Sequence, residues 1–167
     1  VREGTFFAPT TIEMDCTPPW CMGMTKTKKK IKPDQTFRDR VRELRRVRAG
    51  DLVPNESNWR THPKAQQEAL RGVLAEIGYA DAVLARELPD GSLSLIDGHL
   101  RRDLDPEQIV PVLVLDVDEA EAKKLMLTLD PLAAMAMANK DALAALLHEV
   151  DTGSEAVANR LAGLAKV

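Results

Sequence analysis

Residues 82–117 read AVLARELPDGSLSLIDGHLRRDLDPEQIVPVLVLDV, and this run decides the fold. An apolar-rich segment at 82–88 meets a return segment, SLSLI at 92–96, across Pro89-Asp90-Gly91. Proline presets the first turn dihedral and Asp-Gly accepts a tight reversal, so the spacing predicts a β-hairpin. A third run, IVPVLVLDV, is almost continuous in aliphatic residues and reads as a buried strand. Pro111 belongs near the start of that strand, where a missing ladder donor is tolerated. Between the hairpin and the third strand lies an irregular group, Asp97-Gly98-His99-Leu100-Arg101-Arg102.

Upstream of the hairpin, Pro63 opens a predicted helix with Thr61 or His62 as its cap. Ala65, Ala69, Leu70, Val73, Leu74 and Ile77 recur at helical spacing, and Gly78 ends the pattern. Before it comes a loop rich in turn residues, VPNESNWRTHP. Arg46 to Leu52 reads as a strand entering a turn, and residues 34–48 start as a basic helix. Downstream, Asp118 with Glu121 three residues on is a capping box in Asp form. The helix it opens runs through EAEAKKLMLTL, and Asp130-Pro131 is expected to end it and start another. Two Ala- and Leu-rich helices follow near 141–149 and 154–165. Met126, Met135 and Met137 read as core gap-fillers rather than a ligand set. The order predicts an α+β fold: a small mixed β-sheet with packed helices, followed by short C-terminal helices.

The chain has 167 residues, 18.4 kDa, enough for one domain with a core plus tails. Aromatics are only 4%, so aliphatic side chains must build the core. No apolar run approaches the roughly 18 residues of a transmembrane helix, and no signal peptide is visible, so a cytoplasmic protein is expected. The net charge of −3 conceals a strong asymmetry. Residues 24–50 carry eleven bases and three acids; residues 51–167 carry eleven bases and twenty acids. A basic arm on an acidic body fits contact with nucleic-acid phosphates, and equally a solvated tail. Residues 1–23 show no period, and Met24 opens a stretch that reads like an ordinary start, so 1–23 is expected to be a leader or upstream extension. Cys16 and Cys21 fall inside it and lack the second ligand pair of a zinc site. The expected organisation is 1–23 leader, 24–45 basic arm, 46–138 folded domain, 139–167 helical extension.

Two polar groups carry candidate chemistry. Asp97-Gly98-His99-Leu100-Arg101 follows a strand end, where crevices in α/β sheets bind ligands. Gly98 permits close backbone approach, Arg101 and Arg102 offer guanidinium forks to phosphate, and His99 can donate or shuttle a proton near neutrality. Asp97 can accept from a ribose hydroxyl or help hold Mg²⁺. The second group, Asn55, Asn58, Arg60 and His62, precedes a helix N-terminus, where unpaired amides attract anions. The plainer readings are a bent chain with a satisfied His99, and a loop of self-satisfying Asn side chains.

In order, Pro54-Asn55-x4-Arg60, helix, hairpin, Gly98-His99-x-Arg101, apolar strand and helix resemble the ParB/sulfiredoxin fold. Over residues 46–135 the chain looks most like ParB-like N-terminal domains, often called ParB-like nuclease domains, of phages and mobile elements. The resemblance implies nucleotide or DNA phosphates bound at Asn55, Arg60, Gly98, His99, Arg101 and Arg102, with a nucleotide of the ATP or CTP type, and Mg²⁺, as cofactors. Two departures stand out. Partitioning ParB proteins carry a G-E-R-R box, and His99 replaces its Glu. Sulfiredoxins need a Cys at the same place, so that activity is excluded for want of a thiolate. The segment between Arg102 and the next strand is short, so the helix after the box is expected to be short or missing. The 29 residues after 138 leave no room for a normal helix-turn-helix, and operator-specific binding is not expected.

The favoured expectation is a binding protein whose box and loop hold phosphates, with Lys28, Lys29, Lys30, Arg45 and Arg46 adding non-specific DNA affinity. The first alternative is a metal-dependent DNase or nucleotide hydrolase, with His99 as acid or base, Asp97 on the metal and Arg101 on the transition state. The second is a non-catalytic adaptor. The C-terminal helices would serve as lids on the sheet, or less readily as a homodimer surface.

Overall fold

The computed structural model describes residues 36–166, and a compact unit begins at Arg38. The expected leader, Cys16, Cys21, and the arm residues Lys28, Lys29 and Lys30 lie outside the described residues.

Four strands form one sheet: β1 (Val41–Arg48), β2 (Val83–Glu87), β3 (Leu93–Asp97) and β4 (Ile109–Leu115). Their order is β1-β4-β2-β3, with β4 antiparallel to β1 and parallel to β2, and β2 antiparallel to β3. The sheet is therefore mixed, as the sequence pattern predicts. The Pro89-Asp90-Gly91 turn closes the hairpin, with the Asp90 carboxylate accepting from the backbone and hydroxyl of Ser92. Pro111 sits opposite Arg46, one residue before β4 begins to pair with β2. It thus precedes the two-sided part of the ladder, where a lost donor would cost most.

Alternation divides the strands between two cores. One face gathers Val83, Ala85, Leu93, Leu95, Val110, Val112 and Val114 with Ala49 and Leu52. On the other, Ile96 packs against Ala122 and Met126 of α3 (Glu119–Ala133). The buried side chains of both cores are aliphatic but for Met126, and among the described residues the one aromatic packed against them is the half-buried Tyr79.

Over the described residues of the 34–48 stretch the expected basic helix is not formed; Val41–Arg48 is an edge strand. On a helix its arginines would crowd at spacings of three and four. Extended beside β4, Arg42 and Arg45 reach Glu87 on β2, and Arg45 also reaches Glu43. Arg46 lies exposed on the opposite face of the strand from Arg45. Arg40, just before the strand, grips Glu121 with two nitrogens, at 3.0 and 2.7 Å. This clamp ties β1 to the first turn of α3.

The first helix, α1 (Lys64–Glu76), starts after Pro63 with no side-chain cap, so neither Thr61 nor His62 fills that role. His62 instead faces Gln66. Asp118 and Glu121 form the expected capping box of α3. Asp130-Pro131 does not end α3: Pro131 lies inside its last turn, where its missing N–H leaves the Leu127 carbonyl without that donor, and the helix ends at Ala133 within one turn. Met126 is buried, whereas Met135 and Met137 are 75% and 96% exposed and fill no core. The last two helices are α4 (Lys140–Glu149), capped by Asn139, and α5 (Glu155–Leu164), capped by Ser154. α5 lies against α1, not over the sheet as a lid. Among the described residues no helix is long and apolar enough to cross a membrane.

Candidate phosphate-binding site

The end of β3 is built around one glycine. Gly98 has φ +94°, and a Cβ there would meet the Val83 side chain at 2.9–3.2 Å. Both the dihedral and the close approach demand glycine. The turn lets α2 (His99–Leu104) start at once, so the box does continue into a helix, but a short one of six residues.

His99 is 7% exposed. Its Nε2 accepts from the backbone N–H of Asn55 at 3.2 Å, which assigns the ring proton to Nδ1 in a neutral imidazole. Burial pushes its pKa below the ordinary histidine value, against the pull of Asp103 and Asp97 and with the push of His62 and Arg60. The histidine therefore latches the Pro54–Arg60 loop onto the box. The side chains of Asn55 and Asn58 accept from the backbone of Ser57 and Arg60, so the loop's Asn residues satisfy their own turns.

Arg60 crosses from that loop to the end of β3. It donates to Asp97 at 3.2 Å and to the Met126 carbonyl at 3.2 Å, and pairs with Asp130 at 3.0 Å. Its guanidinium also stands 5.3 Å from the centre of the Trp59 ring. With 15% of its side chain exposed and three acceptors engaged, it is fixed. Arg101 is held more loosely: its firm partner is Asp81 at 2.5 Å, a residue with 72% of its side chain in solvent, and Asp97 lies 3.9 Å away. Arg102 points elsewhere, to Asp103, and its Nε has no partner.

These groups border one open cavity of about 860 Å³. Arg60, Asp97, Gly98, His99 and Arg101 line one side, together with Asn58, His62 and Asp130. The apolar face of α1, including Ala69, Leu70 and Val73, lines another. The structure thus brings the two polar groups of the sequence together around one space. Asn55 stands behind His99, outside the lining, and so does Arg102. Arg45 and Arg46 belong to β1. Among the described residues no three His, Cys, Asp or Glu side chains gather as a metal site. Asp97 faces two arginines, so its charge is already compensated.

Asp130 and the α5 residues Asn159 and Arg160 also border the cavity, and the sequence reading did not place them there. Asp130 reads in sequence as a helix cap, and a lone arginine in an alanine-rich helix carries no pattern.

No family model matches the chain, and no curated protein matches it. Among solved structures it is similar to the C-terminally truncated chromosome-partitioning protein ParB from Caulobacter crescentus, solved in complex with CTP-gamma-S. The TM-score is 0.50 and the identity 21%, over 59% of this chain and 57% of that one. The chain thus spans less than two thirds of that structure. What the two share is the fold: a small mixed sheet with packed helices, as the order of sequence elements predicts.

Proposed function

We propose that this chain is a ParB-like nucleotide-binding protein that holds a nucleoside triphosphate in the cavity beside Gly98-His99-x-Arg101. One observation carries the reading: a cavity of about 860 Å³ is lined at once by Arg60 from the loop and by Gly98, His99 and Arg101 from the box. Pockets for small ligands run to roughly 300–1,000 Å³, with apolar walls and a few convergent polar groups. The apolar face of α1 suits a base, and the arginine side suits phosphates. The CTP-gamma-S bound to the ParB of similar fold supports the same ligand class.

The ion pairs support different work for the two arginines. Asp81 keeps 72% of its side chain in solvent although Arg101 is only 20% exposed, so the carboxylate can swing into water and leave its place to a phosphate. Arg60 keeps its three protein acceptors and contributes field and shape. Mg²⁺ enters this reading with the triphosphate it accompanies. The catalytic reading of His99 and Asp97 draws less support, because Nε2 is occupied by Asn55 and both Asp97 oxygens face arginine. Non-specific DNA affinity from Lys28, Lys29, Lys30, Arg45 and Arg46 is a separate part of the proposal, supported by the charge of residues 24–50. Of these, Arg46 is exposed on β1, while Arg45 is engaged with two carboxylates.

Calorimetric titration of CTP and ATP with Mg²⁺ into the wild type and Arg101→Ala tests the site. A charge-assisted hydrogen bond is worth about 1.5–3 kcal/mol, so the variant should bind roughly 10- to 100-fold more weakly. Equal affinity in both proteins would remove the box from the phosphate site, and no binding by the wild type would refute the reading itself.

A further inference from the structure

Helix α5 is fastened to α1 by a contact that α1 alone gains nothing from. Gly72 lies in the interior of α1, where glycine costs about 1 kcal/mol relative to alanine. A Cβ at Gly72 would run into the Ser154 side chain and would meet the Val157 Cγ2 at 2.8 Å. The missing side chain is the notch that admits α5. Beside it, Glu76 of α1 accepts from the Thr152 hydroxyl at 2.7 Å and from the Ser154 backbone N–H at 2.9 Å. Ser154 is also the N-cap of α5, so cap, notch and clasp fix the helix where it begins.

The docked helix turns Val157, Arg160 and Leu161 toward the cavity that the Gly98-His99-x-Arg101 box also lines. Of the three arginines around that cavity, Arg60 and Arg101 are paired with carboxylates. Among the described residues Arg160 forms no ion pair and no side-chain hydrogen bond, and it is exposed. An anionic ligand reaches it without displacing any carboxylate.

We infer that α5 is a working wall of the nucleotide pocket, with Arg160 as a phosphate-binding residue held in place by the Gly72 notch and the Glu76 clasp. This rests on the nucleotide-binding reading above and deepens it. Arg160 meets the phosphates first, and Arg101 exchanges Asp81 for them as the ligand settles.

CTP and ATP, with Mg²⁺, are titrated into the full chain as wild type, Arg101→Ala, Arg160→Ala, Gly72→Val and Glu76→Ala, with hydrogen exchange followed over residues 155–164. Arg160→Ala should weaken nucleotide binding roughly tenfold or more with no change in exchange, as a lost charge-assisted contact does. Gly72→Val should raise exchange in α5 while the strands stay protected, and should weaken binding similarly. Adding Arg160→Ala to it should then cost little more, because the two act through one contact. Glu76→Ala should shift both readouts in the same direction, and it keeps the test alive should Gly72→Val not fold. If Arg101→Ala loses the nucleotide while Arg160→Ala and the released α5 bind like wild type, the wall falls and the nucleotide reading stands. If the wild type binds no nucleotide, both fall together.

Discussion

His99 is the residue on which loop and box meet, and its chemistry is set by burial. Protonation would place an N–H on Nε2, facing the Asn55 N–H that now donates to it. Burial is the first cause that holds the pKa below the ordinary value, with His62 and Arg60 adding to it against Asp103 and Asp97. In the unfolded chain the same ring takes a proton near pH 6.5. Below that pH the unfolded state binds more protons, so stability falls as pH drops from about 6.5 toward the lower folded value, and is then flat in this term. The slope in that window is at most about 1.4 kcal/mol per pH unit for one proton. Urea unfolding at half-unit steps between pH 7.5 and 5 should show the decline. His99→Gln keeps an oxygen acceptor for Asn55 but cannot titrate, so its curve should lack this component. An undiminished slope in the variant would assign the effect elsewhere.

At the scale of elements, α3 is anchored by its first turn. Hydrogen bonds from the Arg40 guanidinium, then from the backbone of Asp118, push the Glu121 carboxyl down to about 2. A depressed carboxyl stabilises the fold above its unfolded pKa, near 4.5, and the contribution is lost as pH falls from there to about 2. Glu121→Gln should therefore be less stable than wild type at pH 7, and the gap should narrow by pH 3, as judged by urea midpoints. An unchanged gap would mean that the clamp does not couple β1 to α3. The capping box itself is legible in the sequence, because it is local: four residues contain both of its hydrogen bonds. So are the hairpin and β4, whose turn residues and aliphatic run compete with nothing. The basic strand β1 is not, because its alternation is masked by arginines whose carboxylate partner, Glu87, lies on another strand. The site is half legible. Gly98 and the arginines stand out by type, whereas nothing in the spacing shows that Asn55 and Arg102 lie outside the cavity lining. Arg160 borders the cavity from a helix seated at the Gly72 notch, which no periodicity reveals.

For the whole molecule, the distribution of charge decides where the proposed DNA contact would fall. Residues 51–167 carry nine more acids than bases, so that part of the chain repels a polyanion at long range. Around the cavity, Asp81, Asp97 and Asp130 already neutralise Arg60 and Arg101, which favours a small triphosphate that can displace one exposed carboxylate over a long duplex. The proposed DNA affinity then comes from residues 24–50, and it is expected to be electrostatic and indifferent to sequence. Each phosphate neutralised contributes roughly 0.9 to the slope of log K against log salt, so replacing Lys28, Lys29 and Lys30 with Ala should lower that slope by about 2 to 3. Affinity should drop by the same factor for unrelated duplexes, since phosphate contacts carry no sequence information. Arg101→Ala should leave the slope as it is, because the proposed function gives the cavity and the basic stretch different ligands. Fluorescence anisotropy with two unrelated duplexes across a series of salt concentrations measures all three. A triple-lysine variant with an unaltered slope would move any DNA contact off the arm, and a slope that tracks Arg101 would place it in the pocket instead.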